Sequence, residues 1–137
     1  MGTNTRPASD AIIVPCTKQK VWEARPNAGP VQARDAYTSP AFLTWRAFAD
    51  DSGSPWYILS TKYGLVSPLT PITNYSVPIS EAETDPAFLD MLRGQVREYQ
   101  LDRCNRILVL DLGRFQALVQ RAMGASPALV GLHRILF

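Results

Sequence analysis

Residues 56–66 read WYILSTKYGLV, and this stretch decides the fold that the sequence predicts. Its first half is an aromatic and β-branched run, which is typical of a buried strand. Two hydroxyls, an ammonium and a phenol then stand beside Gly64. Such a change from apolar to polar residues marks the carboxyl end of a parallel strand at a ligand site, but it equally fits a strand followed by a tight turn. The spacing alone leaves both interpretations open.

The composition is that of a globular protein with reduced thiols. The chain has 137 residues, of which 46% are hydrophobic and 19% charged, and a formal charge of +2. This charge is too small to argue for nucleic acid by itself. The polar residues 1–10 are expected to be a flexible tail and not a signal peptide, and residues 11–137 a single domain. The two separated cysteines favour a cytoplasmic location, and no apolar run reaches membrane length, so no membrane partner is expected. The sequence does not fix the oligomeric state.

Strands and helices alternate along the chain. The apolar runs 11–15 and 107–110 predict two further strands, each followed by polar residues. Apolar residues at three- and four-residue spacing predict three helices, which run from 39–40 to about 50, from 84–86 through 99, and from 115 to a glycine at 124. Residues 22–30 and the proline-rich residues 67–78 are expected to be long loops. Residues 125–137 fit either a short strand or the start of a helix.

This alternation predicts a small, Rossmann-like α/β domain whose mainly parallel sheet is flanked by helices. The carboxyl ends of parallel strands lie on one edge of a sheet. We therefore expect residues 16–20, 60–64 and 111–114 to share one rim. The expectation fails if the sheet is antiparallel.

Several basic residues lie in or near these segments. Lys18, Lys20 and Lys62, with Arg34 and Arg114 as further candidates, would make the rim cationic. A cationic rim with free backbone amides suits a phosphate, a nucleotide or a nucleic-acid backbone. Scattered lysines can also be merely solvated. The contribution of three separate strand ends favours the anion site.

Aromatic and acidic residues add candidates for base recognition and for chemistry. Tyr37, Tyr63 and Tyr75 could stack on a base or sugar, although each alone also fits a half-buried packing tyrosine. Asp35 and Asp111 are the carboxylates best placed for acid–base work or for stabilising an oxocarbenium-like centre. Asp35 can equally be one half of a surface pair with the arginine beside it.

Other chemistries have little support in the sequence. Cys16 would need a base to act as a nucleophile, and His133, the single imidazole, is far along the chain, so a small buried thiol is favoured. One histidine and two distant cysteines predict no metal site. The chain contains no phosphate loop, no dinucleotide fingerprint and no G-x-S-x-G motif, and we expect no cofactor.

Four motifs occur in the order that one protein family shows. They are Ile-Val-Pro-Cys-Thr-x-x-Lys, Asp-Ala-Tyr-Thr-Ser-Pro-x-Phe, Leu-Ser-Thr-Lys-Tyr-Gly-Leu-Val-Ser-Pro and Ile-Thr-Asn-Tyr. Together they resemble the small bacterial and phage family of unknown function related to the YaaA peroxide-stress proteins, over about residues 12–113. The resemblance implies an α/β domain linked to DNA binding under oxidative stress and to modified-base chemistry on nucleic acids. Around Tyr75 the chain departs from the family, since it lacks both the preceding proline and the following acidic residue.

The sequence therefore leaves three functional hypotheses. The first is a nucleotide- or nucleic-acid-base-directed enzyme, most plausibly one that acts on an N-glycosidic bond of a modified base. The second is a non-catalytic DNA-binding module, and an inert accessory domain is a third. Candidate catalytic residues are Asp35, Lys62 and Asp111, and candidate ligand-binding residues are Cys16, Thr17, Lys18, Lys20, Tyr37, Ser60, Thr61, Tyr63, Gly64, Tyr75 and Arg114.

Overall fold

The computed structural model describes residues 10–111, 113–124 and 129–131. The predictions made for residues 1–9 and for most of residues 125–137 lie outside these ranges. Within them the strands are β1 Asp10–Pro15, β2 Val31–Gln32, β3 Trp56–Ser60, β4 Gly64–Val66, β5 Pro71–Ile72, β6 Arg106–Val109 and β7 Leu129–Gly131. The helices are α1 Ala33–Ala36, α2 Pro40–Ser52, α3 Ile79–Ala82, α4 Pro86–Glu98 and α5 Arg114–Met123, with 3₁₀ turns at Val21–Glu23 and Leu101–Arg103.

The main sheet is mixed, with parallel strands at its centre. Its order is β4-β3-β1-β6-β7, and β1 pairs in parallel with both β3 and β6. β7 continues the parallel part, whereas β4 folds back antiparallel to β3. The predicted α/β domain with a mainly parallel sheet is confirmed.

Helices cover the two faces of this sheet because both faces of its central strands are apolar. On β1, Val14 packs with Ile58 and with Phe42 of α2, in one core. The neighbouring residue Ile13 points to the opposite face and belongs to a second core, with residues of α4 and α5 such as Leu92. Thus α2 lies on one side of the sheet, and α4 and α5 lie on the other.

The long helices begin where their capping residues are. The Ser39 hydroxyl accepts a hydrogen bond from the backbone N–H of Phe42 at 3.2 Å, directly before Pro40. Asp85 does the same for the N–H of Ala87 at 3.0 Å. Both helix starts agree with the sequence predictions. None of the helices in the described ranges is long and apolar enough to cross a bilayer.

Three short strands, β2, β4 and β5, and the short helices α1 and α3 were not predicted. β3 and β4 form a hairpin, in which Ser60 pairs with Gly64. β2 and β5 form a separate two-stranded antiparallel sheet, so the predicted loop at residues 67–78 contains a strand. This small sheet fixes part of the connection between β4 and α3. Tyr75, three residues after β5 in the same connection, is buried.

Candidate functional site

The ends of the three central strands meet at one edge of the sheet, as predicted. The backbone N–H of Cys16, just after β1, donates to the carbonyl of Leu59 in β3 at 2.9 Å. On the other side of β1, the N–H of Leu110 donates to the carbonyl of Ile13 at 3.0 Å. The polar segments that follow β1, β3 and β6 are therefore neighbours.

The strand order also changes direction at this edge. From β1 the chain passes through α2, on one face, to β3, and later returns on the other side of β1 as β6, which leads to α5 on the opposite face. The crevice between β1 and β6 is thus a topological switch point, the place where open α/β sheets bind their ligands.

A pocket of about 460 Å³ lies at this position. We call it the strand-end pocket. It is lined by Cys16, Thr17, Lys18 and Lys20 after β1, Thr61 after β3, Ser76, Val77, Pro78 and Ile79 in and before α3, and Phe115 in the first turn of α5. The volume falls in the ~300–1,000 Å³ range of small-molecule sites.

Lys20 is the unusual residue of this pocket, because its side chain is buried at 7% exposure. Its ammonium donates one hydrogen bond, of 3.3 Å, to the carbonyl of Lys18, and lies 4.5 Å from the centre of the Tyr75 ring. Burial lowers the pKa of Lys20, and Cys16 and Glu23 oppose this only partly. In the described ranges no carboxylate forms an ion pair with this ammonium. The nearby Glu23 carboxylate accepts a hydrogen bond from the Lys20 backbone N–H at 3.3 Å instead. The protein therefore buries a positive charge beside a cavity without an ion pair to its ammonium in the described residues.

Two buried tyrosines, Tyr37 and Tyr75, lie next to Lys20. The hydroxyls of Tyr37 and Tyr75 are 2.5 Å apart, and Ser60 interacts with both. Burial is the largest cause that raises the pKa of each phenol. Neither ring lines the strand-end pocket, and the stacking of a base on Tyr37 or Tyr75 stays a prediction. The Lys20 ammonium lies 5.9 Å from the centre of the Tyr37 ring and 4.5 Å from that of the Tyr75 ring.

The Ser60–Gly64 turn is held mainly by structural contacts. The Ser60 hydroxyl accepts hydrogen bonds from the backbone N–H groups of Lys62 and Tyr63, at 3.1 and 3.0 Å. The Tyr63 hydroxyl lies 2.8 Å from that of Thr73. Tyr63 is half-buried and does not line the pocket, so these contacts fix the turn rather than offer a platform for a base.

Gln95 of α4 clamps the same turn and was missed from the sequence. Its amide oxygen accepts from the N–H of Leu65 at 2.7 Å, and its amide nitrogen donates to the carbonyl of Tyr63 at 3.0 Å. Gly64 has a φ of +72°, and a Cβ there would lie 2.2 Å from the Gln95 oxygen. Gly64 is therefore needed for backbone shape and close packing, rather than for ligand contact. The one signal was a glutamine beside Val96 on the apolar side of the helix.

The rim is less cationic than predicted. Arg114 is ion-paired with Glu83, and Arg34 makes a two-pronged pair with Asp50, at 2.9 and 2.8 Å. Arg34 also lies near the ring of Trp56, at the start of β3 and so at the opposite edge of the sheet. The following residues of the prediction do not line the pocket: Arg34, Arg114 and the exposed Lys62.

The two candidate carboxylates also lie outside the pocket lining. Asp35 is exposed and pairs with Arg46 at 3.5 Å, which agrees with the surface-pair alternative except that the partner is not its neighbour Arg34. Asp111 accepts a hydrogen bond from the N–H of Gly113 at 3.1 Å. Of the two, only Asp111 lies at the carboxyl edge, four residues before Phe115.

The remaining candidates line the pocket. The Thr17 hydroxyl accepts a hydrogen bond from Ser39 at 2.9 Å, and the Thr61 hydroxyl donates to the carbonyl of Val77 at 2.6 Å. Cys16 is a buried free thiol in the pocket wall, and His133 lies outside the described residues. In the described parts of the chain, no cluster of three or more His, Cys, Asp or Glu side chains could hold a metal ion.

The chain matches a known protein family over most of its length. Residues 11–110 match a family described as one of unknown function, DUF6884. The chain belongs to this family. It is also 31% identical over 113 residues to the uncharacterized protein YfjM of Bacillus subtilis (strain 168), an alignment that covers 82% of this chain and 75% of that protein. No solved structure matches. The family match includes every strand-end pocket residue except Phe115.

Proposed function

We propose that this protein is a nucleotide- or nucleic-acid-base-directed enzyme that binds a phosphate at Lys20. The buried Lys20 ammonium, which forms no ion pair in the described residues, is the observation that carries the proposal. Taking an ammonium out of water costs several kcal/mol, and buried charges in native proteins are normally paired. A bound anion would supply the partner. Lys18, which also lines the pocket, would be the second cation for the same anion.

The rest of the lining suits a sugar and a base. The lining includes the hydroxyl-bearing residues Thr17, Thr61 and Ser76, and also the apolar residues Ile79 and Phe115. The Thr17 hydroxyl, which accepts from Ser39, can still donate a hydrogen bond, and the Thr61 hydroxyl, which donates to Val77, can still accept one. Sugars are recognised by hydrogen bonds and bases by contact with a flat apolar surface. Phosphate, sugar and base together match a pocket whose wall is basic, polar and apolar in turn.

The finer part of the proposal is chemistry at the N-glycosidic bond. Water attacks the anomeric carbon, the bond from that carbon to the base nitrogen breaks, and the base leaves with a proton. A carboxylate would accept the proton of the water or stabilise the oxocarbenium-like sugar. Asp111 is the candidate for this role because it lies at the carboxyl edge, four residues from Phe115. We assign this role to Asp111 rather than to Asp35, which is exposed in an ion pair with Arg46.

The relation to the YaaA peroxide-stress proteins is part of this proposal as well. Neither the matched family nor the Bacillus relative is described in those terms. The four motifs that suggested the relation include Lys20 and the two tyrosines next to it. The support that these motifs give to base-directed chemistry therefore comes from the pocket that Lys20 lines.

Product analysis tests the proposal directly. The protein is incubated with nucleosides, nucleotides and short DNA and RNA strands, and released base is measured by liquid chromatography. Base release by the wild type is expected, with kcat about 10²–10⁴-fold lower in Asp111→Asn. Lys20→Met is expected to raise KM for phosphorylated substrates. Arg97→Met removes an exposed charge from α4, which contributes no lining residue, and is the matched control.

Two results would count against the proposal in different ways. Binding of nucleotides without any product would remove the enzymatic part and leave a binding module. Failure of every nucleotide and strand to bind would remove the ligand class as well.

A further inference from the structure

We propose that the strand-end pocket takes a single free nucleoside monophosphate and not a nucleic-acid strand. This inference rests on the proposed function and narrows its substrate class. It follows from three features of the described residues: the size of the pocket, the separation of its basic and apolar linings, and the neutralisation of Arg114, beside the pocket, by Glu83.

The pocket is large enough for one nucleotide and too small for several. Its volume is about 460 Å³, at the lower end of the ~300–1,000 Å³ range for small-molecule sites. Proteins that bind single strands instead use an open groove of about 4–16 nucleotides, with an aromatic side chain for each of several bases. Among the residues that the structure describes, Phe115 is the one aromatic residue that lines this pocket. The lining can thus stack one base.

The basic and the apolar residues of the pocket lining come from different elements of the fold. Its basic residues, Lys18 and Lys20, come from the segment after β1, whereas its apolar residues come from the start of α3 and from α5, including Ile79 and Phe115. A nucleoside monophosphate has an anionic end and a flat apolar end. We infer that the phosphate lies against the two lysines and the base against Phe115.

Beside the pocket, Arg114 directly precedes the lining residue Phe115, and its charge is neutralised by Glu83. Elsewhere in the described residues, four arginines are held by carboxylates, in the pairs Arg34–Asp50, Arg46–Asp35, Arg93–Asp90 and Arg106–Asp10, whereas Arg25, Arg97, Arg103 and Arg121 form no ion pair. Strand binding draws most of its affinity from many phosphate contacts. The positive charges of the pocket suffice for one phosphate group.

Calorimetric titration of the full chain separates the possible ligands. The probes are inorganic phosphate, the four common ribonucleosides, their 5′-monophosphates, and single strands of about 12 nucleotides with and without a 5′-phosphate. At least one monophosphate is expected to bind at least tenfold more tightly than its nucleoside, than inorganic phosphate and than either strand. Raising the salt concentration from about 50 to 200 mM is expected to weaken that binding by less than about tenfold, whereas a strand held through six phosphates would lose several hundredfold.

Variants assign the two ends of the ligand. Lys20→Met is expected to weaken monophosphate binding about ten- to a hundredfold and to leave nucleoside binding within about threefold. Phe115→Leu is expected to weaken monophosphate binding about five- to tenfold without affecting inorganic phosphate. Arg97→Met is expected to change neither.

Each contrary outcome is distinct. Tighter binding of the unphosphorylated strand, with a steep salt dependence, would overturn the single-nucleotide inference and leave nucleic-acid-base chemistry standing. Tighter binding of the 5′-phosphorylated strand alone would make the ligand a strand terminus, which also overturns it. If no probe binds, this inference and the proposed function both fail.

Discussion

Replacing Lys20 with methionine is expected to stabilise the unliganded protein, although it removes the side chain on which ligand binding depends. The Lys20 side chain is only 7% exposed, and the desolvation of its ammonium costs several kcal/mol. Part of this cost is offset by the Tyr75 ring at 4.5 Å, worth about 1–2 kcal/mol when desolvated. A further part is offset by the 3.3 Å hydrogen bond to Lys18, worth about 1 kcal/mol.

The net effect follows from this balance. Methionine retains the apolar contacts of the lysine stem and carries no charge. We therefore expect Lys20→Met to raise the free energy of unfolding by about 1 kcal/mol, or the Tm by roughly 3–5 °C. A binding residue whose removal stabilises the empty protein is the signature of a charge kept for its ligand.

The same variant predicts a pH dependence. Since the pKa of Lys20 is lowered by burial, the unfolded chain binds more protons than the folded one between the folded pKa and 10.5, the ordinary value. Wild-type stability gains from rising pH in this window, and Lys20→Met lacks that gain. The stability advantage of the variant is thus expected to shrink as the pH approaches 10.5. Tyr37 and Tyr75 are present in both proteins, so their titration largely cancels in the difference.

Urea unfolding at several pH values measures both effects. Arg97→Met removes an exposed charge and is expected to change stability by less than about 0.5 kcal/mol. Should Lys20→Met destabilise the protein by more than 1 kcal/mol while this control does not, internal contacts would fully compensate the ammonium. The argument for an anionic ligand would then be refuted.

Three further predictions concern the groups that hold the turn and the tyrosine pair. Gly64→Ala is expected to lower the free energy of unfolding by about 3 kcal/mol or more, because the φ of +72° and the contact with Gln95 both oppose a Cβ. Gly53→Ala is the control, since Gly53 has a similar φ of +75° but open space around it. This control is expected to lower the free energy of unfolding by about 1 kcal/mol in the same urea experiment. Gln95→Ala leaves the buried N–H of Leu65 without its partner and is expected to cost about 2–4 kcal/mol, and an unchanged urea midpoint would contradict the clamp. Burial raises the pKa of Tyr37, so stability is expected to fall as the pH rises above 10.0, the ordinary value; Tyr37→Phe is expected to reduce this fall, and an equal fall in both proteins would contradict it.

Local sequence patterns predicted the strands and helices well where an element carries its own signal. A continuous apolar run gave β1 and most of β6, and capping residues with proline gave the starts of α2 and α4. β4 was missed because its three residues, Gly64–Val66, are too few for a pattern and depend on pairing with β3. β2 and β5 were missed for the same reason, since each has two residues and is formed only by the other.

The position of the site was predictable, whereas the roles of many of its residues were not. The carboxyl ends of parallel strands lie on one edge of a sheet, so the sequence predicted that the segments after β1, β3 and β6 are close in space. The ion pair of Arg114 with Glu83 and the contact of Gln95 with the turn join residues about 30 positions apart, and no local pattern encodes such pairs. The burial of Tyr37 and Tyr75 could not be predicted from residue type, because it is decided by packing between segments that are distant in the chain.

The sequence by itself determined the α/β class and the edge of the sheet where polar groups gather, because both depend on the order and the apolar character of neighbouring residues. Only the tertiary structure decided which of the charged groups keep an unsatisfied charge. Packing gave Arg34 and Arg114 carboxylate partners and buried Lys20 against two phenols without one. The physical reason is that the electrostatic cost of a charge depends on solvent exposure and on partners within a few ångström, and in this chain the partners come from distant segments.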